Sequence, residues 1–223
     1  MYKIQLNTNL YGTVCSMNLK DVELLKNQYL NEMFSVMNFS EEEWQVITDL
    51  HVFRQYKKGA ILLKKGQLSK VSYYVVKGCL RSYYLVDGEE KVNAFYTEKD
   101  YFTPSCLVTN KPAEHYLDCL EDCLVNVSTA EDEAIIMKKF PRFEKLCRAY
   151  SEELVVKQKA EFDDFKIASP EQRYINFATN RPDLLQRVPQ YQIASYLGLT
   201  PQSLSRIRKR LSKNDFSANK VAV

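Results

Sequence analysis

The stretch Gln190–Leu211, QYQIASYLGLTPQSLSRIRKRL, decides the reading of this chain. Ile193, Ala194, Tyr196 and Leu197 give a short first helix its apolar face. Gly198 supplies the backbone freedom that a tight turn needs. Thr200 stands where an N-cap is wanted, and Pro201 takes the first helical position, where its missing N–H costs nothing. Leu204, Ile207 and Leu211 recur at i, i+3 and i+7, which anchors one face of a second helix. Gln202, Ser203, Ser205, Arg206 and Lys209 are left for the opposite face. The pattern is a helix-turn-helix, whose second helix presents donors and acceptors suited to base edges and phosphates in a major groove.

Helix-turn-helix geometry also occurs as plain packing, and charge is what tips the reading. Between Arg187 and Lys213 lie six basic residues (Arg187, Arg206, Arg208, Lys209, Arg210, Lys213) and no acidic one, although the 223-residue chain carries a net charge of only +3. Such a patch binds phosphate by counterion release, so binding should weaken steeply with salt. The expected DNA contacts are Gln202, Ser203, Ser205 and Arg206, with Gln190 and Thr200 at the starts of the two helices. Arg208, Lys209, Arg210 and Lys213 are expected mostly on the phosphates.

Moving toward the N-terminus, the helices come first. Arg142–Lys166 holds no Gly or Pro, and Phe143, Cys147, Tyr150, Leu154, Gln158, Glu161 and Phe165 recur at four- and three-residue steps. That is one long helix with a single stripe, best buried against a second copy of itself. Ser169-Pro170-Glu171-Gln172 reads as an N-cap and a new helix, ended by Arg181-Pro182. Residues 130–139 predict a short helix stopping at Phe140-Pro141.

From His51 to about Val127 the period changes. AILLKKG, VSYYVVKG, CLRSYYLV, KVNAFY and HYLDCLEDCLVNV alternate with turns at Gly59, Gly66, Gly78 and Gly88, the rhythm of short antiparallel strands. Asp87-Gly88 is a hairpin signal. Before this, Val22–Met37 has helical spacing, and Ser40 with Glu43 forms a capping box opening a helix with Trp44, Ile47 and Leu50 on one face. Residues 1–22 read as a loosely attached arm.

Composition sets the outer bounds. Hydrophobic content of 45% and charged content of 26% are those of a globular protein. There is neither a membrane-spanning apolar run nor the apolar core of a signal peptide, so a cytoplasmic location without a membrane partner is expected. Cys15, Cys79, Cys106, Cys119, Cys123 and Cys147 include no CxxC pair and read as free thiols. His51 and His115 are too few to propose a site, and no metal or other cofactor is expected. No nucleophile–His–acid set or phosphate-cradling Gly loop suggests an enzyme.

A β-roll, a long helix and a C-terminal helix-turn-helix, in that order, resemble the cyclic-AMP receptor protein (Crp/Fnr) family of transcription regulators, from about Phe39 to Lys213. The resemblance is carried by Tyr56-Lys57-Lys58-Gly59-Ala60-Ile61-Leu62, the Gly66 turn, Val75-Val76-Lys77-Gly78, Leu120-Glu121-Asp122-Cys123 and Ile193-Ala194…Leu197-Gly198…Ser203…Ser205-Arg206-Ile207. It implies an α+β fold in which an N-terminal antiparallel β-roll like a cyclic-nucleotide-binding domain (23–140, with flanking helices) follows the arm (1–22). A dimerisation helix (141–167) and a helix-turn-helix domain (168–223) complete the chain. It further implies a homodimer on double-stranded DNA at a near-palindromic operator, base contacts from Gln202, Ser203 and Arg206, and RNA polymerase as a candidate further partner. The effector stays open.

The resemblance breaks at the ligand pocket. Family members that bind cyclic AMP carry a Gly-Glu pair and then an Arg-Ser pair, the latter for the cyclic phosphate. Here the segments read Asp100-Tyr101-Phe102-Thr103-Pro104-Ser105 and Lys111-Pro112-Ala113-Glu114-His115. Glu114 near the phosphate site would repel an anion, and Pro104 removes a backbone donor. No control by cyclic AMP is therefore expected. Tyr73, Tyr74, Tyr83, Tyr84, Tyr96, Tyr101 and Phe102 are read as filling the sandwich and decorating its face. The competing reading is a protein-interaction or small-ligand sensor module with a vestigial helix-turn-helix.

Overall fold

Short polar caps set where several helices begin. The structure, a computed structural model, describes residues 17–37 and 39–218. Asn18 accepts a hydrogen bond from the Asp21 N–H at 2.9 Å and opens α1 (Leu19–Met37). This helix starts three residues before its predicted start and buries Val22, Tyr29 and Leu30. Of the expected arm, residues 1–16 lie outside the described residues, and Leu19–Val22 form the first turn of α1. The Ser40–Glu43 capping box opens α2 (Glu41–Leu50) as predicted.

By their contacts the residues divide into two units, one taking in the chain up to Tyr84 with Asn93–Ala149, the other Leu85–Val92 with the chain from Tyr150. The strands are β1 (Val52–Tyr56), β2 (Ile61–Leu63), β3 (Val71–Lys77), β4 (Leu80–Val86), β5 (Glu89–Tyr96) and β6 (Tyr101–Phe102), followed after α3 (Ser105–Thr109) by β7 (Tyr116–Cys119) and β8 (Cys123–Thr129). They form two four-stranded sheets, ordered β1-β8-β3-β6 and β2-β7-β4-β5. Asp87 and Gly88, with φ of 51° and 81°, make the two-residue loop between β4 and β5.

Alternation along the strands sends Leu63, Val75, Leu80, Leu117, Val125 and Val127 into the space between the sheets. Cys79, Cys106, Cys119 and Cys123 are buried free thiols, and Cys147 is an exposed one. Gly78 closes β3 with φ of +107°, against the backbone of the β7–β8 turn. On β4 and β7, Arg81 and Asp118 face each other across the ladder and are both buried. They pair through two hydrogen bonds, Nε to Oδ1 at 3.0 Å and Nη2 to Oδ2 at 2.6 Å.

α4 (Ala130–Lys139) follows under a Thr129–Asp132 capping box, and α5 (Arg142–Ile167) is the predicted long helix. At its start Arg142 grips Glu43 with Nε to Oε1 at 2.7 Å, tying α5 to the first turn of α2. The Arg142 guanidinium holds the Glu43 carboxyl below the usual carboxylate range, and the Ser40 N–H adds to this. Phe143 stacks on Phe39, with ring centroids 5.3 Å apart, in a cluster with Ile47.

The second unit holds α6 (Pro170–Asn180), α7 (Leu184–Arg187), α8 (Gln190–Tyr196) and α9 (Pro201–Ala218). Its core is Phe177, Leu184, Val188, Ile193, Ala194, Leu197, Leu204 and Ile207. The loop end of the β4–β5 hairpin belongs to this unit. Ser195 Oγ on α8 donates to the Glu90 carbonyl and accepts from the Val92 N–H, each at 3.0 Å. Among the described residues no helix is long and apolar enough to cross a membrane.

Candidate nucleic-acid interface

Local chemistry builds the α8–α9 pair as the sequence suggests. Gly198 takes φ of +68° after α8, and the Leu199 N–H returns to the Ala194 carbonyl at 2.8 Å. Thr200 caps α9, its hydroxyl oxygen accepting from the Ser203 N–H at 3.1 Å while Leu204 N–H bonds the Thr200 carbonyl at 3.0 Å. Leu204 and Ile207 are buried, which fixes the rotation of α9 about its axis.

Helical geometry then places Gln202, Arg206, Lys209 and Lys213 on a stripe opposite that core, at i, i+4, i+7 and i+11. Gln202, Arg206 and Lys209 are exposed; the Lys213 side chain lies outside the described residues. Ser205 and Arg208 are exposed beside the stripe. Arg206, Arg208 and Lys209 form no ion pair among the described residues, so their charges face outward uncompensated.

Other expected contacts are placed differently. Thr200 donates its hydroxyl hydrogen to Ser203 Oγ at 3.0 Å, so both hydroxyls are engaged in the cap. Arg210 pairs with Glu171 on α6 through Nε and Nη2, and it braces α9 against α6. Gln190 turns its side-chain oxygen inward, buried without a hydrogen-bond partner, at a cavity of about 180 Å³ lined with Pro201, Leu204, Ser205 and Arg208.

The α5 stripe is also divided. Phe143 is only 6% exposed, held in a cluster with Phe39 and Ile47, so it presents no open face. Phe165 lies under the Arg173 guanidinium, 4.2 Å from its ring centroid. Between these ends Cys147, Tyr150 and Gln158 are exposed and Leu154 is half-buried. Val155 and Phe162, exposed and seven residues apart, widen this stretch on one flank, which the stepwise pattern does not include.

The sheet unit packs the segments Asp100–Ser105 and Lys111–His115 through their own side chains. Phe102 is buried, edge-on to Tyr96 at 4.9 Å and to His115 at 5.9 Å between ring centroids. Cys106 of α3 is buried and accepts from the Ser69 N–H at 3.2 Å, while Glu114 is exposed. Burial pushes the His115 imidazole down from its ordinary pKa. Tyr73 and Tyr83 are buried in the sandwich and Tyr84 is exposed on its face.

Residues 53–139 match the family model of the cyclic nucleotide-binding domain. That stretch is similar to a cyclic nucleotide-binding domain. Solved structures share the wider architecture at low identity. FixK2 from Bradyrhizobium japonicum is 18% identical, covering 74% of this chain and 86% of its own, with a TM-score of 0.60. A CooA mutant from Carboxydothermus hydrogenoformans is 18% identical over 81% and 84%, at 0.60. The c-di-GMP responsive global regulator CLP of Xanthomonas campestris is 12% identical over 79% and 93%, at 0.62. No curated protein matches the chain in sequence. The likeness to the Crp/Fnr family holds in the fold: two antiparallel sheets that match the cyclic nucleotide-binding model, then a long helix and further helices.

Proposed function

We propose that this protein is a sequence-specific DNA-binding transcription regulator acting as a homodimer, with α8 and α9 as a helix-turn-helix. The observation that carries the reading is the Gln202–Arg206–Lys209 stripe, exposed opposite the buried Leu204 and Ile207 and bearing uncompensated cations. Arg206 and Gln202 are long enough to reach base edges, and Lys209 and Arg208 hold phosphates. Lys213 and the flanking Ser205 join them by sequence position. Arg210 acts as a brace and Thr200 as a cap. In this reading the second copy packs on the open part of the α5 stripe around Tyr150, Leu154 and Gln158, so that two α9 helices address half-sites about one turn of DNA apart. One structural relative, CLP, is a global regulator by name, which fits this class of function.

Control is independent of cyclic AMP in this reading. Arg81, a buried arginine of the sheet unit, already has its Nε and Nη2 engaged with Asp118. Phe102 and Cys106 occupy the interior, and the exposed Glu114 opposes an anion. The test is binding to duplex DNA at low salt, followed as salt is raised. The expected dependence is steep, with a slope of ~0.9 per phosphate neutralised. Failure to bind any duplex at low salt would overturn the proposal.

A further inference from the structure

Arg173, on α6, touches none of the expected DNA contacts, yet it joins the two elements that must be held in register. Its Nε donates to the Phe165 carbonyl at 3.1 Å, and its Nη1 donates to the Leu197 carbonyl at 3.4 Å. Its guanidinium stacks on the Phe165 ring, 4.2 Å from the centroid. All of these residues lie in the second unit.

Both carbonyls need a donor. Phe165 lies in the last turn of α5, where carbonyls have no partner within the helix. Leu197 is the C-cap of α8, and the residue four places on is Pro201, which has no N–H to give. One cation therefore satisfies the ends of two helices, each of which carries partial negative charge. The stack adds cation–π attraction and prevents the fork from rotating away. Gly198 stands at the same point, with the position of a Cβ only 3.6 Å from Arg173 Nη1 and 3.8 Å from Phe165 Cζ.

We infer that Arg173 is a positioning residue: it staples the end of α5 to the turn between α8 and α9 and thereby sets the spacing of half-sites the dimer accepts. The inference rests on the dimeric DNA-binding reading. If α5 joins two copies and α9 reads DNA, the angle at this staple fixes the distance between the two reading helices. Loss of the staple leaves each α9 with its own contacts and lowers only the effective concentration of the second half-site.

The experiment uses the full chain with DNA selected by the unaltered protein, cut to a single half-site or kept as the symmetric site. Versions of the symmetric site with one or two base pairs inserted at the centre complete the set. Arg173→Gln is expected to bind the half-site within about twofold of the original, to lose ~10- to 100-fold on the symmetric site, and to discriminate less between spacings. Arg173→Lys, which keeps the charge but not the fork, should fall between the two, and it carries the test if Arg173→Gln does not fold. Equal loss on half-site and symmetric site, or no loss on either, would overturn the staple. An unaltered protein that gains nothing from the second half-site would overturn the dimeric reading, and the staple with it.

Discussion

Replacing Gly78 by alanine would put a methyl group 2.6 Å from Cys123 Sγ, 2.9 Å from the Asp122 carbonyl oxygen and 3.0 Å from Cys123 Cα. Two of these neighbours are backbone atoms of the β7–β8 turn and cannot swing aside. The backbone there also has φ of +107°, which costs a side chain about 1–3 kcal/mol. Overpacking adds about 1–3 kcal/mol, so a total near ~4 kcal/mol follows. Gly198 provides the internal control. Its φ of +68° carries a cost of roughly 1–2 kcal/mol, but a Cβ there meets ordinary contacts at 3.6 and 3.8 Å. Trp44, the only tryptophan, stacks beside Phe39 in the first unit, so its fluorescence follows the packing of that unit. Gly78→Ala should lower the midpoint of that fluorescence transition by ~12–20 °C, at about 3–5 °C per kcal/mol for a domain of this size. Gly198→Ala should leave it in place and shift only the helical signal of the second unit. A Gly78→Ala protein within ~1 kcal/mol of the original, or a Gly198→Ala protein equally damaged by the tryptophan readout, would refute the steric argument.

Glu43 gives a pH signature. Its carboxyl is depressed in the folded state by Arg142, so it stabilises above the unfolded carboxyl's pKa of roughly 4.3. That contribution is lost as pH falls from ~5 through the lower folded value, and Glu43→Gln should flatten the decline of the Trp44 urea midpoint in this window. Asp118→Ala strands the buried Arg81 charge and should cost about 3–5 kcal/mol in urea unfolding, whereas Arg81→Met with Asp118→Leu should recover most of the loss. Arg206→Ala should relax base preference at one operator position, at ~1–3 kcal/mol, when binding is scored across single-base variants. Lys209→Ala should instead weaken all sequences alike and reduce the salt slope by ~0.9 per subunit.

Local chemistry was what the sequence made legible. The Ser40–Glu43 box, the Ser169 and Thr200 caps, the Asp87-Gly88 loop and the turn at Gly198 each depend on residues within a few positions of one another, and each forms as expected. Short helices without a periodic face were not legible: α3 has five residues and α7 four. Long-range partners were also hidden. No spacing rule joins Arg210 to Glu171, 39 residues away, or Arg173 to Leu197, yet these pairs brace the helices. Phe143 fits the α5 stripe by period, and only the packing of Phe39 and Ile47 shows that its own core uses it. In the site, the α9 stripe could be read because helical geometry alone fixes which residues oppose Leu204 and Ile207.

The most direct test of the account is recovery of genomic DNA fragments on the purified protein, with and without cyclic AMP, at near-physiological salt. The account predicts one two-fold symmetric motif, recovered equally in both conditions. Recovery only with cyclic AMP would contradict the filled-pocket argument, and no enriched motif in either condition would contradict the claim that this chain reads DNA.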